Sequence, residues 1–172
     1  MENDDILNKI NGAKEQFYSD NSKNSLFKKK QKFECANSIM TKFNEQEVYA
    51  NIFIVKDDII LFNYPVFKIV ANPEIYLNMA NYIFMIADEL IVKYGAYKLY
   101  VNCTGITVSA IERYKDFASV VSKKGLENGK NLLKKMDIIQ IHNAPSFVDY
   151  GLQVIVPIVD NNLWHKINIV KL

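Results

Sequence analysis

Tyr97 to Val101, Ile138 to Ile141 and Ile167 to Val170 are short runs rich in β-branched and aromatic residues. Longer stretches with apolar residues at helical spacing separate them. No other feature constrains the fold as tightly. Val108 to Ser122 and Pro145 to Val159 are the intervening helices, each long enough to carry the chain back across a sheet so that the strands align in parallel. Asn131 to Met136 reads as a short basic helix before the second strand. Right-handed crossovers are expected to place helices on the faces of the sheet. Pro157, which has no N–H to donate, should distort the end of its helix.

Upstream, Ile75, Tyr76, Met79, Ala80, Ile83, Phe84, Ile86, Ala87, Leu90, Ile91 and Tyr94 form a broad apolar face between Pro73 and Gly95. Proline just inside the start and glycine just past the end are favoured helix punctuation, so this is the longest helix expected. Val48 to Val55 and Ile59 to Phe62 flank the polar turn Lys56-Asp57-Asp58 and predict a β-hairpin. Residues 1 to 47 read as a polar helical segment. In it Ile6, Ile10, Ala13 and Phe17 recur every three or four residues, Ser19 to Ser22 break the pattern, and Leu26 to Phe43 resume it. The expected architecture is α/β: a mixed, largely parallel sheet with crossover helices over 48 to 172 and a short helical segment over 1 to 47, together one compact unit.

Composition limits the function classes. With 49% hydrophobic and 23% charged residues, the chain can bury a core, and its net charge of +2 gives no bulk attraction for nucleic acid, which is not expected as a partner. Cys35 and Cys103 are too few for a disulfide framework or a cysteine-rich zinc module. Met1-Glu2-Asn3-Asp4-Asp5 is acidic where a signal peptide is basic, and no stretch reaches about 18 uninterrupted apolar residues. The expectation is a cytoplasmic protein. Asn, Ile, Lys and Tyr supply 70 of the 172 residues and Arg113 is the lone arginine, a bias expected of an AT-rich genome such as that of a microbe, a protist or a large DNA virus.

Chemistry-bearing patterns are sparse. Gly125-Leu126-Glu127-Asn128-Gly129-Lys130 has three residues between its glycines where a phosphate-binding loop needs four, and Asn131 stands where that loop has Ser or Thr; a capping turn fits better. Cys103 ends a strand before a helix, a place for a thiolate, yet Ser109 stands where a phosphatase loop has arginine, and a buried structural cysteine is the plainer role. His142 and His165 with two distant cysteines specify no metal site, and none is expected. Asp57-Asp58 and Asp88-Glu89 read as solvated charge. Asn102-Cys103-Thr104 has glycosylation spacing at a strand end expected to be buried. Lys28, Lys29, Lys30 and Lys32 form a run that meets phosphates of a membrane surface or is simply a solvated helix face.

Met136-Asp137-Ile138-Ile139-Gln140-Ile141-His142-Asn143-Ala144-Pro145, then an apolar helix with Pro157-Ile158-Val159-Asp160 and the strand Lys166-Ile167-Asn168-Ile169, resembles the CRAL-TRIO lipid-binding family. Tyr100 to Ile106 resembles that family's strand ending in Asp-x-x-Gly, with Asn102 in place of the aspartate. The likeness covers residues 48 to 172 and is most specific over 138 to 169. It implies an apolar pocket under a gating helix, here Ser146 to Val159, with Phe147, Leu152, Val154, Ile155 and Val156 facing lipid or core. It also implies a headgroup contact at Lys166, a residue that otherwise reads as a plain surface lysine. The function implied is non-catalytic binding of a lipid or other hydrophobic small molecule; the lysine run outside the likeness, Lys28, Lys29, Lys30 and Lys32, adds the expectation of a membrane surface as a partner. The alternative is a protein-interaction or structural module with a closed pocket, acting through a protein partner or as a homo-oligomer. No cofactor is expected, and no nucleophile, base and orienter can be assembled for an enzyme.

Overall fold

Asp57, in left-handed backbone with φ of 53°, closes the turn that joins β1 (Phe53–Lys56) to β2 (Ile59–Asn63) as the expected antiparallel hairpin. The structure is a computed structural model describing residues 2–126 and 132–170. From β2 the sheet continues through β3 (Tyr97–Asn102), β4 (Met136–His142) and β5 (Ile167–Ile169), all parallel, in the order β1-β2-β3-β4-β5. The α/β class and its largely parallel sheet are as the alternation of strands and helices predicts.

Because neighbouring parallel strands are also consecutive in sequence, right-handed crossovers put every connecting helix on the same side. The residues paired in register show it: Ile60 with Leu99 and Phe62 with Val101, then Leu99 with Ile139 and Val101 with Ile141, point inward beneath the helices. The alternate residues Ile54, Leu61, Tyr100 and Gln140 point the other way and are only half-buried. Helices were expected on both faces; they cover one.

The helices are α1 (Glu2–Asp20), α2 (Lys28–Met40), α3 (Glu45–Ile52), α4 (Tyr64–Val70), α5 (Tyr76–Tyr94), α6 (Val108–Gly125) and α7 (Val148–Val159). In α3 the hairpin prediction needs correction, because Val48 to Ile52 is helical. Asn44 accepts a hydrogen bond from the Glu47 N–H at 3.1 Å, Glu45 and Glu47 occupy the first turn, and this start outweighs the β-branched character of Val48 and Ile52. The segment Pro73–Tyr94 is long and apolar enough, by length and composition, to cross a membrane. Here it is a 3-10 turn followed by α5, which buries Tyr76, Met79, Ala80, Phe84, Ile86, Ala87 and Leu90, and stops at Gly95 with φ of 85°.

Smaller differences have local causes. Pro145 lies before α7, which starts at Val148. The basic helix expected from Asn131 is a 3-10 turn over Leu132–Lys135, with Met136 already in β4; Asn131 itself lies outside the described residues, as do 127 to 130 of the glycine-bounded loop. Asn143 adopts φ of 54° directly after β4, and its side-chain amide donates to Asn102 Oδ1 at 2.9 Å, joining the ends of β3 and β4.

Candidate functional site

Between the inner face of the sheet and the helices lies an apolar cavity of about 310 Å3. Strand alternation supplies the floor: Leu99 and Val101 of β3, Ile139 and Ile141 of β4 and Ile167 of β5 all point into it. Tyr64 and Phe67 of α4, Ile111, Tyr114, Phe117 and Val121 of α6, and Leu152, Ile155, Val156 and Val159 of α7 make the walls. Cys103, Ile106, Pro145 and Phe147 close one end. Among the described residues, no charged side chain lines it.

Helix α7 is anomalous in its burial. Its sequence, VDYGLQVIVPIV, is mostly apolar, yet Val156 is its only buried residue. Leu152, Ile155 and Val159 are half-buried, as are Leu99, Val101 and Ile167 across from them, because these side chains look into space rather than into one another. A void of this size, if closed and empty, would cost about 7 kcal/mol at ~24 cal/mol per Å3, comparable to the whole net stability of a domain. That is an upper bound, since the cavity is partly open to solvent.

Three contacts hold α7 against α6. The Tyr150 hydroxyl donates to Glu112 Oε1 at 2.6 Å near one end, and the Ser122 hydroxyl donates to the Val159 carbonyl at 2.9 Å at the other. Beside the first of these, Gly151 packs on Ile111. Elsewhere the Tyr114 hydroxyl donates to the Lys68 carbonyl at 3.0 Å, tying α6 to α4.

Four of the residues singled out for ligand contact, Phe147, Leu152, Ile155 and Val156, are gathered in the cavity wall. Val154 is half-buried but is not part of the lining. Lys166 lies away from it as well: its ammonium donates to the carbonyls of Met136 at 2.6 Å and Lys134 at 3.1 Å, fastening the 3-10 turn Asn161–Lys166 to the start of β4. Lys28, Lys29, Lys30 and Lys32 are exposed at the start of α2, outside the cavity. The floor residues and the aromatic wall from α4 and α6 were not singled out from sequence. Period-two alternation in the strands marks the former, whereas α4 carries no such signal.

The groups considered for catalysis are separated. Cys103 lines the cavity, and burial pushes its thiol up to about 11, so it is protonated at neutral pH. His142 is on the outer face of the sheet, its ring 5.3 Å from that of Tyr100 and its Nε2 3.2 Å from Gln140 Oε1. His165 is exposed. Asn102 Oδ1 accepts from the Thr104 N–H, the Thr104 hydroxyl and the Asn143 amide, which gives this side chain a structural role. Among the described residues, no group of three or more His, Cys, Asp or Glu side chains is placed to hold a metal ion. No protein-family model, curated protein or solved structure matches the chain.

Proposed function

We propose that the protein is a non-catalytic binder of a hydrophobic small molecule or lipid chain, which it holds between the sheet and α7. The observation that carries this reading is the set of half-buried apolar side chains of β3, β5 and α7 that face one another across about 310 Å3 of uncharged space. This volume is at the low end of the ~300–1,000 Å3 typical of small-molecule pockets and suits a single hydrocarbon chain or a compact apolar body. Removing its apolar surface from water, at about 25 cal/mol per Å2, is the source of affinity. The resemblance of residues 138 to 169 to the CRAL-TRIO family points the same way, with α7 as the gate.

Native mass spectrometry of the purified protein, followed by organic extraction, tests the reading. A stoichiometric lipid or apolar adduct is expected. A bare mass that persists after incubation with mixed liposomes and free fatty acid overturns it. In that case the uncovered outer face of the sheet, where Ile54, Leu61 and Tyr100 form one row, supports the protein-interaction alternative.

A further inference from the structure

Two of the most exposed apolar side chains in the molecule are consecutive. Leu26 is 85% exposed and Phe27 62% exposed. They sit within an unbroken run of exposed residues from 19 to 30 that links α1 to α2. Scattered exposed leucines need no explanation, but an adjacent Leu and Phe held out together do.

This loop is built, not slack. The Asn24 side-chain oxygen accepts from the backbone N–H groups of both Leu26 and Phe27 at 2.9 Å. Gln31 reaches back from α2, its Oε1 accepting from the Asn24 N–H and its Nε2 donating to the Ser22 carbonyl, both at 2.7 Å. The N–H groups of Asn24, Leu26 and Phe27 and the carbonyl of Ser22 are thus occupied internally while the two apolar side chains point outward. A membrane-inserting loop needs this arrangement, because backbone donors carried toward the lipid must already be satisfied.

The surroundings are positive. Between positions 20 and 34 there are five lysines, Lys23, Lys28, Lys29, Lys30 and Lys32, against Asp20 and Glu34. Lys30 pairs with Glu34 at 3.8 Å, and the Lys29 ammonium lies over the Phe33 ring. The ammonium of Lys32 is held below its usual range, first by partial burial and then by repulsion from Arg113, Lys14 and Lys28, so the positive field extends over α1, α2 and α6.

We propose that the Leu26-Phe27 turn is a membrane-docking tip, with both side chains entering the interface of an anionic lipid surface while Lys28, Lys29 and Lys30 meet its phosphates. Neither charge alone nor apolar exposure alone selects this partner: the lysines favour any anion, and the rigid Leu-Phe pair adds an apolar phase beneath it. The tip stands independently of the cavity, since vesicle binding is read whether the cavity is filled or empty.

The test is co-sedimentation with vesicles of phosphatidylcholine containing 30 mol% phosphatidylserine, and with pure phosphatidylcholine, for the full chain. Wild type is expected to bind the anionic vesicles and to bind the neutral ones at least tenfold more weakly. L26S/F27S, at exposed positions, should lose at least tenfold on anionic vesicles. Lys28→Gln, Lys29→Gln and Lys30→Gln should each lose about fivefold at low salt, and less at high salt. In a Trp164→Phe background, Phe27→Trp should shift its emission to the blue on anionic vesicles. Failure of wild type to bind anionic vesicles overturns the proposal. So does equal binding by L26S/F27S, which would leave adsorption by charge alone or a soluble acidic protein as the partner.

Discussion

A Cβ built on Gly151 of α7 would lie 2.9 Å from Ile111 Cδ1 of α6, closer than side chains approach in folded proteins. Both residues line the cavity, so the bulk tolerated at position 151 sets how near α7 sits to the sheet and to α6. Gly151→Ala should be almost neutral, because a helix gain of about 1 kcal/mol is offset by about 0.5–1.5 kcal/mol for moving the Ile111 side chain off its rotamer. Gly151→Leu should cost about 1–3 kcal/mol by overpacking and weaken binding of an apolar ligand at least tenfold. Thermal denaturation together with a fluorescent fatty-acid titration checks both.

Leu99 is on the floor of the cavity that α7 helps to wall and is half-buried in spite of its central strand. Leu99→Phe fills empty space instead of competing with packed neighbours. It is expected to leave stability unchanged or raise it by about 0.5–2 kcal/mol, as cavity filling does, while abolishing ligand uptake measured by native mass spectrometry. Undiminished uptake would place the ligand elsewhere.

How far the sequence carried depended on which signals were periodic. β3, β5, α5 and α6 show a two- or 3.6-residue period and form close to their expected bounds, whereas β4, expected over Ile138 to Ile141 as a continuously apolar strand, already starts at Met136. Tyr64 to Val70 has none: Tyr64, Val66, Phe67, Ile69 and Val70 are all buried, so α4 offers only Lys68 as an exposed polar position to reveal its period. Val48 to Val55 was legible in composition but not in its division, because Asn44 caps a helix through a hydrogen bond that the apolar run itself does not advertise. For the site, the Asn-Ala-Pro pattern drew attention to Phe147, Leu152, Ile155 and Val156. The floor from β3, β4 and β5 was missed, since which strand face meets the helices depends on sheet order. Lys166 was legible as a position matching the family, but not the carbonyls of Met136 and Lys134 that its ammonium meets, because they come from a segment 30 to 32 residues earlier.

Lys166→Ala follows from that difference. Its ammonium satisfies two backbone carbonyls, so removal should destabilise the fold by about 1–2 kcal/mol and leave apolar-ligand affinity within about twofold of wild type. Urea denaturation and ligand titration separate the two effects. A headgroup role would instead appear as lost affinity for anionic lipid at unchanged stability.

Tyr150 and Glu112 form an external latch on α7, and Tyr150→Phe removes its hydrogen bond with no loss of ring packing. Release of bound ligand should speed up about two- to fivefold, the range of an exposed charge-linked contact. The Tyr150 hydroxyl, followed by Lys115, holds the Glu112 carboxyl below its ordinary 4.5. The latch is therefore fully made above that value and is lost as pH falls through the depressed one. Wild-type release should accelerate toward the variant's rate in that acid window, by stopped-flow with a fluorescent ligand, whereas the variant should show no such acceleration. Parallel acid profiles would remove the latch from the exit path.

Cys103 offers a reporter inside the cavity, and Cys35, buried in α2 away from the lining, serves as its internal control. With the Cys103 thiol at about 11, alkylation by N-ethylmaleimide at pH 7 should be slow, and bound ligand should slow it further at Cys103 only, as read by peptide mass mapping. The same shift carries a stability term of definite sign. Above pH 9.0 the unfolded thiol loses its proton while the folded one keeps it, so the contribution is whole below pH 9 and falls away as pH rises through about 11. Its full size is roughly 2–3 kcal/mol. Cys103→Ala should thus unfold with a shallower alkaline slope between pH 9 and 11 than wild type. If ligand instead protects both cysteines equally, the protection comes from global stabilisation rather than occupancy beside Cys103.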